Sequence, residues 1–371
     1  MRVVVADDAI LFRRVMEQVL GSLPGVEVVG LAQNGKIALQ KVQELKPDLL
    51  TLDMEMPEMD GLAVLDALKG VPGAPAVIVV SALTLHGGRL TLQALQRGAF
   101  DFITKPDESG AEKSRESLRQ ELTPRVKALS LRLGVRGILR GNTTTTSPSP
   151  SPAASAPAPA SAAPVAAVPA RGVPVTQKPE VVLIGVSTGG PNTLATLLPA
   201  LPPTLGVPVL IVQHMPPLFT QSLAENLDAK CALRVREATH EEIAEPNTVY
   251  IAPGGRQMRL APGPDGRKII QITDDPPENN CRPAVDYLFR SAAMHYPGRS
   301  MAVILTGMGS DGTLGLRLLK RHGCHVIAQD ESSSVVWGMP KAAVEAGVAD
   351  VVLPLEAIAS KITSLVRGGH F

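Results

Sequence analysis

Residues 181–191 read Val-Val-Leu-Ile-Gly-Val-Ser-Thr-Gly-Gly-Pro, an apolar run that passes directly into a glycine-rich turn. The run has the length of a buried strand, and Pro191 has the fixed φ angle that suits the first turn of a helix. A strand followed at once by a turn and a helix is typical of an α/β fold. Ser187 lies at that turn, where its small neighbours would let the hydroxyl project at the start of the helix.

The alternation of apolar runs and helix-period stretches continues to the end of the chain. The predicted strands are Val181–Val186, Val209–Gln213, Thr248–Ile251, Met301–Leu305 and His325–Ala328. The predicted helices are Thr193–Leu198, Phe219–Leu227, Ala284–Met294, Leu314–Arg321 and Ile358–Val366. Residues 258–272 hold two short apolar runs around a Pro- and Gly-rich turn, which predicts an inserted β-hairpin. We therefore expect a doubly wound, mainly parallel α/β domain over residues 180–371.

The first 125 residues show the same alternation. The predicted strands are Val3–Val5, Val26–Ala32, Leu49–Leu52, Ala76–Val80 and Phe102–Ile103. The predicted helices are Ile10–Leu20, Lys36–Glu44, Leu62–Lys69, Leu90–Arg97 and Glu112–Leu122. Five such βα units predict a doubly wound parallel sheet. Pro124 should end or kink the last helix, so that residues 126–140 would form a separate connecting helix.

Residues 141–179 consist mainly of Thr, Ser, Pro and Ala and carry almost no charge. Such a composition cannot bury enough apolar surface to offset the entropy of ordering. We interpret the segment as a linker, which its prolines should keep semi-extended. The chain of 371 residues is accordingly predicted to hold two domains.

Composition excludes several classes of protein. The formal net charge is +1, which leaves no electrostatic attraction for nucleic acid, and no basic recognition helix suggests a DNA-binding domain. The three cysteines, Cys231, Cys281 and Cys324, show no C-x-x-C spacing, which is typical of a reducing compartment. Neither a signal-peptide pattern nor an apolar run of ~20 residues occurs. We expect a cytoplasmic protein without direct membrane insertion.

Acidic side chains follow the predicted strands of the first domain. Asp7 and Asp8 come after the first strand, Asp53 ends the third, Ser81 the fourth, and Lys105 follows the fifth. Because ligands bind outside the carboxyl ends of parallel strands, these residues are expected to converge. Three carboxylates repel each other unless they hold a cation, and an oxygen-only ligand set suits Mg²⁺. Taken singly, each Asp has an alternative interpretation as a helix N-cap.

The order of these residues resembles response-regulator receiver domains over residues 1–125. The motifs that carry the resemblance are Val5-Ala6-Asp7-Asp8, Leu52-Asp53-Met54-Glu55-Met56-Pro57, Ser81-Ala82 and Phe102-Ile103-Thr104-Lys105-Pro106. The resemblance implies that a histidine kinase phosphorylates Asp53. It further implies that Asp8, Asp53 and the backbone carbonyl of Glu55 hold Mg²⁺, with Asp7 in support.

The receiver resemblance also implies that Ser81, Phe102 and Lys105 transmit the signal of phosphorylation. From the residues alone, Lys105 and the Ser81 hydroxyl could stabilise charge on a transferring phosphoryl group. For Phe102 the alternative is an ordinary aromatic residue of the core.

A serine nucleophile needs a base and a carboxylate that orients the base. His214 ends the apolar run Val209–Gln213, and Asp311 follows the run that ends at Leu305; Asp330, after a further strand, is the rival carboxylate. The backbone N–H of Thr188 could face an oxyanion. Alternatively, the glycine-rich turn could hold a phosphate at the helix N-terminus. It lacks the full G-x-G-x-x-G of a dinucleotide site, and the order Ser, His, Asp disfavours the common α/β-hydrolase fold.

The second domain resembles the catalytic domain of chemotaxis protein-glutamate methylesterases. The matching motifs are Ile184-Gly185-Val186-Ser187-Thr188-Gly189-Gly190-Pro191, Gln213-His214-Met215-Pro216, Ile251-Ala252-Pro253-Gly254-Gly255, Pro283-Ala284-Val285-Asp286 and Thr306-Gly307-Met308-Gly309-Ser310-Asp311-Gly312. The resemblance implies that Ser187 is the nucleophile, His214 the base and Asp311 its orienting carboxylate, and that the Met308 backbone N–H donates to an oxyanion. Two departures are the long linker and the acidic residues 274–282, which contain Cys281.

The two resemblances together imply a phosphorylation-activated enzyme of sensory adaptation. It would hydrolyse glutamate γ-methyl esters, and deamidate glutamine to glutamate, on the cytoplasmic domains of methyl-accepting chemoreceptors. A chemotaxis histidine kinase would supply the phosphoryl group, Mg²⁺ would serve the receiver, and the esterase would need no cofactor. The alternative is a signalling adaptor whose hydrolase-like domain only binds a partner.

Overall fold

Each half of the chain is built around a parallel β-sheet of buried strands. The computed structural model describes residues 1–106, 111–140 and 177–368. Within those ranges no helix combines the length and the apolar character that crossing a bilayer demands. Most of the predicted linker, residues 141–176, lies outside the described residues.

The N-terminal domain confirms the predicted five-stranded sheet. Its strands are β1 (Arg2–Ala6), β2 (Glu27–Ala32), β3 (Leu49–Asp53), β4 (Ala76–Ser81) and β5 (Asp101–Thr104). Its helices are α1 (Ile10–Gly21), α2 (Gly35–Leu45), α3 (Gly61–Leu68), α4 (Leu85–Gln96) and α5 (Ala111–Arg140). The strand order is β2-β1-β3-β4-β5 and every neighbouring pair is parallel. The carboxyl ends of β1 and β3 are therefore adjacent, which brings Asp7 and Asp53 together.

Of the prediction that Pro124 would end or kink the last helix, the ending is wrong, because α5 continues through Pro124 to Arg140 and residues 126–140 form no separate helix. A proline inside a helix costs about 3 kcal/mol. Four buried side chains on the same helix, those of Leu118, Leu122, Val126 and Leu129, pack into the core of the domain. Each contributes about 1.5–3 kcal/mol, so the buried face of α5 outweighs the local cost.

The C-terminal domain contains a larger parallel sheet. Its strands in chain order are β6 (Val181–Val186), β7 (Val209–Gln213), β8 (Arg234–Glu237), β9 (Glu242–Ile243), β10 (Thr248–Ile251), β11 (Gln257–Pro262), β12 (Lys268–Thr273), β13 (Ser300–Ile304), β14 (His325–Gln329) and β15 (Val351–Leu353). Its helices are α6 (Gly190–Leu197), α7 (Phe219–Asp228), α8 (Val285–His295), α9 (Thr313–Arg321), α10 (Met339–Glu345) and α11 (Leu355–Val366). The sheet order β15-β14-β13-β6-β7-β10-β8 places β6, the strand that leads to Ser187, at its centre.

The predicted hairpin is confirmed as the antiparallel pair β11 and β12. It does not extend the parallel sheet, however. It joins β9 in a separate sheet of three strands, because β12 also pairs with β9 in antiparallel register. The packing of α8 against β11 attaches this small sheet to the domain.

The two domains meet along α4 and α7. The rings of Phe102 and Phe219 stack with their centroids 5.1 Å apart and their planes 8° from parallel. Beside them, Gln96 donates to the side-chain oxygen of Asn226 at 2.9 Å. Buried residues of both domains accordingly form one continuous hydrophobic cluster across this contact.

Candidate active site

Ser187 follows the central strand β6 and is held by its backbone. Its N–H donates to the carbonyl of Thr306, which follows β13, at 3.0 Å. The side-chain amide of Gln213 donates to the carbonyls of Ser187, at 2.9 Å, and of His214, at 3.2 Å. Gly190 lies so close to Gln213 that a Cβ there would be 1.8 Å from its Oε1. Gln213 therefore fixes the segment of the serine against that of the histidine.

His214 and Asp311 form a direct pair. The imidazole Nε2 lies 2.8 Å from Oδ2 of Asp311, and the histidine side chain is only 14% exposed. The two residues follow the carboxyl ends of β7 and β13, on either side of β6. The rival, Asp330, instead accepts hydrogen bonds from Ser332 and Ser333 and stabilises its own loop.

Asp311 lies at the N-terminus of α8, where free backbone N–H groups favour a negative charge. It accepts hydrogen bonds from the backbone N–H groups of Val285, at 2.7 Å, and Asp286, at 3.0 Å. The side-chain amide of Asn279 donates to the same carboxylate at 2.9 Å. These donors hold the carboxylate in one orientation toward the imidazole.

The pair shifts the pKa of both partners. Burial raises the pKa of Asp311, but hydrogen bonds from His214 and from the α8 backbone outweigh it and hold that pKa below the usual value. Burial lowers the pKa of His214, but the Asp311 carboxylate and the Cys281 thiol raise it to about 10. Asp311 therefore makes the imidazole a stronger base than a free histidine.

The remaining ring nitrogen, Nδ1 of His214, lies 3.7 Å from the Cys281 sulfur. Among the hydrogen bonds of the described residues, none joins the Ser187 hydroxyl to the imidazole. Catalytic hydrogen bonds are often loose in proteins without substrate and tighten when it binds.

Gly307 packs directly on the serine, since a Cβ there would be 2.8 Å from Ser187 Cβ. This contact brings the neighbouring Met308 to the same turn.

The N-terminal domain presents the acidic pocket that the sequence predicted. Asp7, Asp8 and Asp53 each place a carboxylate oxygen within 4.8 Å of the others. Nζ of Lys105 lies 2.7 Å from Asp53 and 2.9 Å from Asp7. Burial and the neighbouring Asp7 carboxylate raise the pKa of Asp53 to about 6, although Lys105 opposes the shift. The Glu55 N–H lies 3.5 Å from Asp53 Oδ1. This oxygen-only donor set, with one exposed member in Asp8, fits Mg²⁺.

Comparisons with known proteins match both domains. The family model described as CheB methylesterase matches residues 182–362, and that of the response regulator receiver domain matches residues 3–113. A protein-glutamate methylesterase/protein-glutamine glutaminase of Desulfotalea psychrophila is 47% identical over 99% of both chains. The chain belongs to the CheB methylesterase family. The relative of the same name from Nocardioides sp. is 44% identical over 95% of this chain and 92% of its own.

A solved structure supports the assignment for the catalytic domain. The Thermotoga maritima CheB methylesterase catalytic domain is 45% identical and is matched over its whole length. It covers 51% of this chain, with a TM-score of 0.50. The fold prediction of a receiver joined to a CheB catalytic domain is thus confirmed.

In this CheB-family protein the receiver touches the turn that carries the serine. The Thr188 hydroxyl donates to Oδ2 of Asp101, at the start of β5, at 3.0 Å, and the bond is buried. Arg125 of α5 donates to the same oxygen at 3.0 Å. Asn192 of α6 donates to the carbonyl of Leu95 in α4 at 2.7 Å. The receiver is therefore hydrogen-bonded to Thr188, the residue directly after Ser187.

Two predicted signalling residues of the receiver lie near its contact with the catalytic domain. The Ser81 hydroxyl donates to the carbonyl of Gly87 in α4 at 3.1 Å. Phe102 stacks on Phe219 of the catalytic domain, so its contacts are not confined to the core of the receiver. Asp101 was not found from the sequence, since a single Asp at the start of a strand gives no signal of a distant partner.

Proposed function

We propose that this chain hydrolyses glutamate γ-methyl esters, and deamidates glutamine, on chemoreceptor cytoplasmic domains. Ser187 is the nucleophile, His214 the base and Asp311 its orienting carboxylate. The observation that carries the proposal is the His214–Asp311 pair at 2.8 Å, at the carboxyl edge of the strands that flank the serine. The names of the curated relatives support the substrate.

The reaction proceeds in two steps. His214 takes the Ser187 hydroxyl proton as the oxygen attacks the γ-carbonyl. The C–O bond to the methoxy group then breaks as the imidazolium protonates the departing methoxide, which leaves as methanol. Water, deprotonated by His214, then attacks the acyl-enzyme and releases glutamate and the free hydroxyl. With glutamine the leaving group is ammonia. Asp311 stabilises the imidazolium throughout.

The backbone N–H groups of Thr188 and Met308 are the proposed oxyanion donors. Within residues 177–368 neither N–H donates a hydrogen bond to a protein acceptor. Both flank Ser187, one by sequence and the other through the Gly307 contact. Preorganised donors of this kind stabilise the charge that develops on the carbonyl oxygen.

The receiver controls the esterase through phosphorylation of Asp53 by a chemotaxis histidine kinase. Asp8, Asp53 and the Glu55 carbonyl would hold Mg²⁺, with Asp7 in support; when bound, the ion neutralises charge on the phosphoryl group. Lys105, with Nζ 2.7 Å from Asp53, faces the same oxygens and would contact a phosphoryl group on that side chain. The acyl phosphate carries about two negative charges where the free Asp53 carboxylate carries one, so phosphorylation adds about one negative charge beside β4 and β5, whose ends lead to the contact with the catalytic domain.

We expect Asp53→Asn to leave the basal esterase rate in place and to abolish its stimulation by an acyl-phosphate donor. Stimulation of the unaltered protein should be about 5- to 150-fold, the usual range of coupling between sites. Methanol release from methylated receptors, with and without the donor and Mg²⁺, provides the measurement. Asp66→Asn, an exposed aspartate on α3, is the matched control. Equal stimulation of the Asp53→Asn protein would exclude this residue as the acceptor.

Deletion of residues 1–140 should raise the basal rate toward that of the phosphorylated protein. The physical reason is the loss of the Asp101–Thr188 bond and of the Phe102–Phe219 stack, which hold the receiver against the catalytic turn. The measurement compares methanol release by the deleted and full-length proteins without a phosphodonor. An unchanged or lower basal rate would mean that the receiver does not inhibit by occlusion.

A further inference from the structure

His214, Cys281 and Asp311 form a mixed cluster of nitrogen, sulfur and oxygen ligands. One ligand atom from each lies within 4.8 Å of the other two. Asp311 is buried, whereas the other two are partly exposed, so an ion could enter from solvent. Imidazole and thiolate are ligands that Zn²⁺ prefers, in contrast to the oxygen-only pocket of the receiver.

The distance between the two outer ligands fits one zinc ion. Nδ1 of His214 and Sγ of Cys281 lie 3.7 Å apart. Zinc bonds of about 2.1 Å to nitrogen and about 2.3 Å to sulfur, at a tetrahedral angle, separate the ligand atoms by about 3.6 Å. An ion between the two atoms therefore requires little movement of either side chain.

Both ligands are already held in position. The other ring nitrogen, Nε2, lies 2.8 Å from Asp311, which is the carboxylate–histidine arrangement that orients histidine ligands of zinc. The backbone of Cys281 is paired with Glu278 by two hydrogen bonds, at 2.8 and 3.1 Å. An oriented imidazole and a fixed Cys281 backbone reduce the entropy that is lost when the ion arrives.

We propose that His214 and Cys281 bind Zn²⁺, with Asp311 orienting the imidazole, and that the bound ion inhibits the esterase. Binding releases to solvent the thiol proton of Cys281 and, where the imidazole is charged, the Nδ1 proton of His214, and it involves no redox step. Water fills the remaining coordination positions. The ion occupies Nδ1, the nitrogen that must take the Ser187 proton. The inhibitory role rests on the proposed function, whereas zinc binding does not.

Zinc binding is measured on full-length Ser187→Ala protein by competition with a chromophoric chelator, in excess Mg²⁺ to saturate the acidic pocket of the receiver. Adding Cys281→Ser should weaken binding on the order of tenfold or more, because losing a direct ligand costs at least as much as losing an orienting partner. Adding Cys231→Ser, the other partly exposed free cysteine, is the matched control and should change nothing. Equal affinities of the two double variants would overturn the proposal.

A second measurement requires no variant at the site. Zinc should slow alkylation of Cys281 by iodoacetamide, followed by mass spectrometry, and leave that of Cys231 unchanged. Cobalt(II) should likewise give a thiolate charge-transfer band. Unprotected Cys281 in the presence of saturating zinc would contradict direct coordination.

Inhibition is measured as methanol release by the unaltered protein, relative to its own zinc-free rate. The rate should fall as zinc saturates the site and recover with EDTA, and Cys281→Ser should require on the order of tenfold more zinc. Zinc that binds without slowing the reaction would overturn the inhibitory role alone. Full activity of Ser187→Ala would instead refute the proposed nucleophile, while the binding data would stand.

Discussion

Replacing Ser187 with alanine should reduce methanol release by a factor on the order of 10⁶, as loss of the nucleophile does in other serine hydrolases. Without the hydroxyl no acyl-enzyme can form, and His214 has no proton to take. The oxyanion donors and substrate binding alone leave a rate about 10³–10⁴ above that in water. The measurement is release of radiolabelled methanol from methylated receptor.

The matched control is Ser360→Ala, which removes the same atom from an exposed residue of α11. It should keep the full rate. A serine-reactive probe should label the unaltered protein at Ser187 and fail to label the Ser187→Ala variant. Full methyl release by that variant would point instead to Cys281, whose sulfur lies 3.7 Å from the imidazole.

Replacing Asp311 with asparagine should lower the rate about 10⁴-fold. The amide retains the shape of the carboxylate but cannot stabilise the imidazolium, and it can favour the wrong tautomer of His214. Asp330→Asn is the matched control, because Asp330 caps its own loop and should not affect turnover. Equal losses in the two variants would mean that the 2.8 Å contact is not the functional one.

The same substitution should shift the pH dependence. Only neutral His214 can take a proton, and Asp311 helps to raise its pKa to about 10, so the rate of the unaltered protein should rise with pH above neutrality. Asp311→Asn lowers that pKa and moves the rising limb to lower pH. The charged pair also stabilises the fold, and this contribution is lost as pH rises through the His214 pKa. Rate profiles and thermal unfolding between neutral and alkaline pH measure both effects.

The ends of strands could be predicted because the residues that mark them are adjacent in sequence. An apolar run followed by a polar residue gave the positions of Ser187, His214 and Asp53 with no knowledge of tertiary contacts. The choice between Asp311 and Asp330 could not be made in that way, since both follow strands. The structure pairs Asp311 with His214, at the N-terminus of α8, where the backbone N–H groups of Val285 and its neighbour donate to the Asp311 carboxylate; these contacts join residues far apart in sequence.

Elements that depend on contacts between residues far apart in sequence were not predicted. Strand β8 (Arg234–Glu237) carries three charged residues and lies at one edge of the sheet. Strand β15 (Val351–Leu353) is short and partly exposed. β8 contains no apolar run, and the apolar run of β15, Val-Val-Leu, is only three residues long. The continuation of α5 through Pro124 has the same origin, because a buried face overrides a local rule.

The stacked pair of Phe102 and Phe219 contributes only a modest free energy to the contact between the receiver and the catalytic domain. Such a pair adds about 0.5–1.5 kcal/mol beyond the area that it buries, and one phosphoryl group can form new hydrogen bonds of about 1.5–3 kcal/mol each. The two quantities are of the same order. Under the proposed control by the receiver, a stronger contact between the domains would keep the enzyme inactive even when Asp53 is phosphorylated, and a weaker contact would keep it active without phosphorylation. The free energy of the contact between the two domains is therefore limited both from above and from below.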